Sequence, residues 1–251
     1  MSFKFLIYLL KLRIRKIFFI VNNLSFTRFY LVGIYPSVEH ISTLKYVLKE
    51  SRIDAFLDIG SNKGQFTLAI KSLEPNKKIY SFDPLITSKK SFDIITKNLK
   101  NIEFFPFAIS DICNSQEINI PMKNDSSSLL EISSFQKKFF GTSNVLSHQK
   151  VNVITLEHWF KFNNIKDFNN GFIKIDVQGL EINVLKGAND LLEKFKYIYI
   201  ELSFKEFYKS QILGWEIMNF LENKKFKFIR SENCIYDKLE LIQGDFLFKR
   251  I

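Results

Sequence analysis

The chain is poor in the residues that build disulfide and metal sites. Of its 251 residues two are cysteine, Cys113 and Cys234, and three are histidine, His40, His148 and His158. The cysteines lie far apart, so the sequence predicts a reducing compartment and no structural disulfide. The scattered histidines offer no ligand spacing for zinc. Acids are missing from the first 38 residues, which hold Lys4, Lys11, Arg13, Arg15, Lys16 and Arg28. These six account for more than half of the net charge of +10. The rest of the chain is only mildly basic, which argues against a nucleic-acid footprint over the whole protein. Residues 3–20 are apolar but broken by Lys4, Lys11, Arg13, Arg15 and Lys16. Each charge near a bilayer centre costs about 2.5–3.5 kcal/mol, so a spanning helix is not expected. A signal peptide is not expected either, for want of an unbroken apolar region and a small-residue cleavage site. Two placements are left: peripheral contact of residues 1–30 with an anionic membrane face, or a helix packed on the domain.

Only nine glycines are present, and two of them fall within residues 56–65, Phe-Leu-Asp-Ile-Gly-Ser-Asn-Lys-Gly-Gln. An apolar run breaks there into a loop. Phe66, Leu68, Ala69, Ile70 and Leu73 then recur at helical spacing, giving strand, tight turn, helix. Gly60 and Gly64 let the backbone turn sharply and approach a ligand. Backbone N–H groups at the helix start are expected to face the cleft unpaired. The spacing is D-x-G-x-x-x-G, not the G-x-G-x-x-G of a dinucleotide fingerprint. Asp58, two residues before the first glycine, would repel a pyrophosphate and suits a cationic or amine-bearing ligand. The loop resembles the first motif of class I S-adenosylmethionine-dependent methyltransferases. That makes Asp58, Gly60, Ser61, Asn62, Gly64 and Gln65 candidate cofactor residues; the competing reading is an ordinary βα turn with a chance acid.

A second strand, residues 79–84, ends in Asp83-Pro84. An acid there can accept hydrogen bonds from both hydroxyls of a neutral ribose, and Pro84 stops the strand by lacking a ladder donor. Residues 102–107 read as a third strand. Ala108, Ile109, Ser110 and Asp111 read as a small-residue turn suited to an adenine end, although Ser and Asp form turns without any ligand. Residues 115–121 read as an added strand. Residues 121–150 are polar and weakly periodic, expected to be an acceptor-binding lid or else disordered. Residues 151–154 alternate as a strand, and Thr155 is placed to cap a helix carrying Glu157, His158 and Trp159. Residues 172–176 and 197–201 are further strands, ending in Asp176 and Glu201. Ligands of an open parallel sheet bind beyond its carboxyl ends, so Asp58, Asp83, Asp176 and Glu201 are expected on one rim. Residues 226–230 and 245–249 read as the antiparallel pair that closes the sheet.

The predicted fold is α/β: a Rossmann-like class I methyltransferase with a mostly parallel seven-stranded sheet, an antiparallel C-terminal strand and helices on both faces. It would occupy residues 51–251, behind a basic, apolar helical extension over residues 1–50. Residues 56–67, 80–84, 108–111, 126–129, 153–157 and 173–188 together resemble the FkbM-type methyltransferase family. The most specific stretch is 173–188, Ile-Lys-Ile-Asp-Val-Gln-Gly-Leu-Glu-Ile-Asn-Val-Leu-Lys-Gly-Ala. The sequence departs from the family at Asp83, where Glu is frequent, and at Glu157, where Asp is frequent; both keep the charge. The resemblance implies S-adenosyl-L-methionine as cofactor, with Pro84, Ala108, Ser110 and Asp176 added to its contacts. It also implies methyl transfer to a hydroxyl of a small molecule, a secondary metabolite, or a sugar in a surface glycan or glycolipid. The expected location is the cytoplasm, or the inner face of the cell membrane.

A sulfonium carries its own leaving group, so the protein has mainly to align an acceptor oxygen and take up its proton. Asp176 is the first candidate base and Glu181, about a turn into the next helix, the second. Asp176 could equally contact the cofactor's amino acid or cap that helix, and Glu181 could pair with a backbone N–H or a lysine. No spacing demands a metal ion, and none is expected. A rival reading is an RNA 2′-O-methyltransferase using Asp176 and Glu201 with Lys45 or Lys205, but its charge would belong in a groove rather than at the N-terminus. Another is a cofactor-binding or membrane-associated module without catalysis.

Overall fold

The computed structural model describes residues 14–121, 127–140, 145–163, 165 and 168–251. Residues 1–13 of the extension, and residues 122–126 and 141–144 of the expected lid, lie outside the described residues. In chain order the strands are β1 (Ala55–Ile59), β2 (Lys78–Phe82), β3 (Ile102–Phe105), β4 (Ala108–Ser110), β5 (Asn114–Pro121), β6 (Val145–Thr155), β7 (Gly171–Ile175), β8 (Phe195–Ser203), β9 (Phe226–Asp237) and β10 (Glu240–Arg250). From residue 41 onward the helices are α1 (Ile41–Glu50), α2 (Gln65–Leu73), α3 (Ile86–Asn98), α4 (Ser134–Phe140), α5 (Leu156–Phe162), α6 (Glu181–Ala188) and α7 (Gly214–Asn223).

Seven strands form the main sheet in the order β3-β2-β1-β7-β8-β10-β9. Strand β10 is antiparallel to both neighbours; the other pairs are parallel. From β1 the chain steps outward through β2 and β3, then returns to β7 and builds the other way. The carboxyl ends of β1 and β7 therefore flank a topological switch point, where such sheets open a crevice. Both strands are buried at all five positions, as strands covered on both faces must be. Alternation sends Leu57, Ile59, Ile173 and Ile175 to one core with Trp159 and Leu185. It sends Phe56 and Phe172 to the other, with Phe66, Leu68 and Phe92. By the same period Asp58 and Lys174 share that second face, and they are partners in the β1–β7 register.

A second sheet, β4-β6-β5, was not foreseen. The turn expected at residues 108–111 is in fact strand β4, paired in parallel with Val153, Ile154 and Thr155 of β6. Pro106 has no amide to donate, so the chain leaves one ladder and enters another. Strands β9 and β10 also run further than the alternating stretches that betray them, because register shifts between Leu241 and Gln243 and between Gln243 and Asp245 break the two-residue period. Strand β8 likewise passes Glu201 and ends at Ser203. Thr155 caps α5 as expected, its hydroxyl oxygen accepting the His158 N–H at 3.0 Å.

Residues 14–22 are helical, and a 3-10 turn (Leu24–Phe26) and a short helix (Thr27–Leu31) follow. Phe19, Phe26 and Phe29 are buried and join the second core together with Leu44 and Ile95. This part of the extension packs on the domain.

Candidate functional site

A cleft opens at the switch point, where ligands of such sheets bind. Gly60, Asn62, Asp83, Asp176 and Gln178 supply its polar lining; Pro84, Leu85, Phe107 and Ala108 supply an apolar side. Gly60 has φ +78° and packs so closely on β7 that a Cβ would stand 1.8 Å from the Asp176 carbonyl oxygen. The amides of Gly60 and Ser61 both donate to the Phe82 carbonyl, at 3.0 and 2.9 Å. The Asn62 amide donates to Asp83 Oδ2 at 2.9 Å, and that of Gly64 to the Ser61 carbonyl at 2.8 Å. The amides of Gly60, Ser61, Asn62 and Gly64 are thus spent on the protein.

The predicted cofactor residues divide accordingly. Gly60, Asn62, Asp83, Pro84, Ala108 and Asp176 line the cleft. Asp58, Ser61, Gly64, Gln65 and Ser110 are not among its lining residues. Gly64, with φ +83°, caps α2 and packs on Ile95 of α3, 2.5 Å from where its Cβ would be. The Ser61 hydroxyl is buried and donates to the Phe82 carbonyl. The Gln65 carbonyl accepts the Ser37 N–H. Ser110 donates from its hydroxyl to Asp111, and its carbonyl fills the space above Gly187.

The four strand-end acids are not equivalent. Asp83 lines the cleft with each carboxylate oxygen accepting one backbone N–H, from Asn62 and from Leu85 at 3.0 Å. Burial pushes its pKa up, and the Ser88 hydroxyl, followed by those amides, opposes the rise. Asp58 is completely buried beneath the loop. Its Oδ2 accepts the Thr67 hydroxyl at 2.8 Å, while Lys174 Nζ stands 4.0 Å from its Oδ1. Burial raises its pKa against the pull of Lys174 and Thr67. Lys174 also reaches Asp176 Oδ2 at 3.1 Å, and it is held protonated because these two carboxylates outweigh its own burial. Asp176 keeps 29% of its side chain exposed. Burial works against its charge, but Lys174 and the Gln178 amide, 2.7 Å away, hold its pKa below the usual carboxylate range.

Glu201 stands one layer behind. Its Oε2 accepts from Gln178 Nε2 at 3.3 Å and from Gln243 Nε2 at 2.9 Å. Burial, then Asp176 and Asp245, drive its pKa well up. Of two neighbouring acids the outer is therefore biased toward its carboxylate form and the inner toward its neutral form. Gln178 ties this layer together, and it holds a left-handed φ of +58° to do so.

Glu181 does not line the cleft. Its buried carboxylate accepts the N–H groups of Val177 at 3.2 Å and Gly179 at 3.0 Å, clamping the turn from β7 into α6. Burial pushes its pKa up to about 7. From about pH 4.3, where an unfolded Glu titrates, up to that value the native state holds a proton the unfolded chain has lost, so stability falls as pH rises. Asp245, also pushed to about 7 by burial, titrates in the same window. Glu181→Gln keeps the accepting oxygen and removes the buried charge. Its melting temperature is expected to fall less steeply than wild type between about pH 5 and 8, with methyl transfer within a few-fold. A loss of more than about 100-fold would instead mark Glu181 as a base.

Residues 58–228 match the family described as Methyltransferase FkbM domain. The chain belongs to this family. The solved methyltransferase FkbM of Methylobacillus flagellatus KT is similar at 15% identity and a TM-score of 0.51, over 85% of this chain and 50% of that one. The chain thus spans about half the length of that relative. Magnesium protoporphyrin IX methyltransferase of Synechocystis PCC 6803, solved with bound S-adenosylmethionine, aligns at 9% identity with a TM-score of 0.47, over 85% of this chain and 81% of that one. A SAM dependent methyltransferase of Aquifex aeolicus aligns at 17% and 0.41, over 82% and 89%. At 15% identity the likeness to the Methylobacillus flagellatus protein is one of fold. No curated protein matches the chain.

The FkbM family depends on S-adenosylmethionine, and the cleft fits that cofactor. Each Asp83 oxygen retains a lone pair for a ribose hydroxyl. Leu85, Phe107 and Ala108 offer an apolar slot for adenine, and Asp176, biased toward its carboxylate form, suits a neighbouring sulfonium. The Ser127 hydroxyl in the lining is buried with no hydrogen bond inside the protein. Sequence reasoning missed Lys174 and Gln178 in this FkbM domain. For Lys174 the signal was available: a lysine inside a fully buried strand requires a buried counter-charge. For Gln178 nothing local announced the left-handed turn.

Proposed function

We propose that this FkbM domain transfers the methyl group of S-adenosylmethionine to a hydroxyl of a secondary metabolite or of a sugar in a surface glycan or glycolipid, such as lipopolysaccharide or capsule. The reading places the O-methylation at the cytoplasmic side of the cell membrane. The observation that carries it is Asp176, a carboxylate in the cleft lining kept ionised by Lys174 and Gln178. Among the described lining residues there is no lysine, arginine or histidine. A nucleic-acid acceptor brings phosphates that need neutralising; a neutral polyol does not. Lys205, one lysine considered for the RNA reading, is engaged with Glu240 at 2.7 Å.

The bound cofactor supplies an electrophilic methyl group with its own thioether leaving group. Asp176 accepts a hydrogen bond from the acceptor hydroxyl, which turns an oxygen lone pair toward the methyl, and it takes the proton as that oxygen becomes acidic during bond formation. Its depressed pKa makes proton transfer late. Ser127, Ser128 and Leu129 of the insertion line the cleft, and the Ser128 hydroxyl donates to the Gln178 carbonyl at 2.6 Å, so this segment shields the site from water and shapes the acceptor space. Asp176→Asn is expected to lose at least about 100-fold in methyl transfer while calorimetric binding of S-adenosylhomocysteine changes only a few-fold. Labelled methyl transfer to glycan, glycolipid, small-molecule and RNA fractions of cells reads the acceptor. Label confined to RNA, or full turnover by the variant, would overturn the proposal.

A further inference from the structure

We infer that the helical N-terminal segment carries a docking face for an anionic lipid bilayer. This surface is separate from the cleft, and its occupancy does not depend on the identity of the methyl acceptor. Along residues 14–22, Ile14, Ile17, Phe18 and Val21 follow the i, i+3, i+4, i+7 spacing of a single helix face. Their side chains are 57%, 61%, 71% and 65% exposed. Phe19, only 8% exposed, lies on the other side and anchors the helix in the core. Single exposed apolar residues are ordinary, but four large ones in one row expose a contiguous patch that water does not favour.

Charge decides what covers this face. The first 38 residues contain six lysines and arginines and no acid. In a symmetric pair the same patch meets itself, so a second copy would set one basic segment against another. An acidic lipid surface attracts the net positive charge of this segment while the apolar row enters the headgroup boundary. Arg15 and Arg28 are oriented by hydrogen bonds to the Val38 carbonyl at 2.9 Å and to Asn98 at 3.0 Å, which ties the basic flank to the folded domain. No helix among the described residues is long and apolar enough to cross a membrane.

The test is sedimentation of the full chain with vesicles of phosphatidylcholine mixed with phosphatidylglycerol, and with vesicles of phosphatidylcholine alone. Binding is expected to the mixed vesicles, to weaken at high salt, and to fall at least about 10-fold on neutral ones. The double variant Ile17→Glu, Phe18→Glu changes exposed positions. It is expected to lose binding at least about 10-fold, with its melting temperature and its stabilisation by S-adenosylhomocysteine unchanged. Wild-type protein left in the supernatant, a variant that sediments as wild type does, or a concentration-dependent wild-type dimer abolished by the variant would each overturn the inference. Because sedimentation needs no methyl transfer, its failure leaves the cofactor and acceptor reading standing, and failure of that reading leaves this one.

Discussion

Gly60→Ala is expected to abolish measurable S-adenosylmethionine binding, a loss of more than about 100-fold, and to destabilise the fold by about 2–5 kcal/mol. Two costs coincide. The residue sits at φ +78°, where any side chain is strained, and the added carbon would stand 1.8 Å from the Asp176 carbonyl oxygen. That obstacle is backbone at the end of a buried strand, so no rotamer change relieves it. Either the loop or the end of β7 must move, breaking the bond from the Asp176 amide to the Ile59 carbonyl at 3.0 Å and parting the two lips of the cleft. Gly64→Ala is the informative control. It has a similar φ, but its new carbon meets the tip of the Ile95 side chain, which can yield. It should lose stability yet keep binding within about 10-fold, because the cavity lining is untouched. Calorimetry and thermal melting of both variants check this. Wild-type affinity in Gly60→Ala would show that the loop does not set the cleft.

The next largest effect is expected for Lys174→Met. Removing one partner of a buried charge cluster costs about 3–5 kcal/mol, and at about 2–4 °C per kcal/mol for a chain of this size the melting temperature should drop by roughly 6–20 °C. Asp58, with none of its surface exposed, then has no cation to offset its burial. A double variant Asp58→Asn, Lys174→Met should recover part of the loss, since Asp176 is then the one carboxylate of the cluster left without its cation; additive losses would mean the Asp58–Lys174 pair is not coupled. The pH dependence should also change sign. In wild type the depressed pKa of Asp176 contributes stability above its unfolded value of about 3.9, lost as pH falls through the folded value. Without Lys174 the largest opposition to burial is gone and the folded pKa rises. The variant should then lose stability as pH rises through the carboxylate range, and the acid limb of its methyl-transfer profile should move to higher pH.

Legibility followed the range of the interactions. The strands around Asp58, Asp83 and Asp176 were readable because each is a short apolar run ended by a local breaker, a glycine loop or a proline. The capping of α5 by Thr155 was readable for the same reason: donor and acceptor lie three residues apart. Strand β4 was not, because Ala108–Ser110 becomes a strand only by pairing with residues more than forty positions later. Glu181 looked like a base by its distance from Asp176, yet its carboxylate turns to the backbone of Val177 and Gly179.

By itself, then, the sequence determined the period of each element, the positions of the acids at strand ends, the glycines of the first loop and the family to which the chain belongs. The tertiary structure alone decided which of those acids is ionised. Register between β1 and β7 sets Asp58 beside Lys174, and Lys174 in turn favours the charged form of Asp176 at the cleft while burial pushes the pKa of Glu201 behind it up. A carboxylate's charge depends on burial and on cations brought from distant strands, and neither is a property of the residues next to it in the chain.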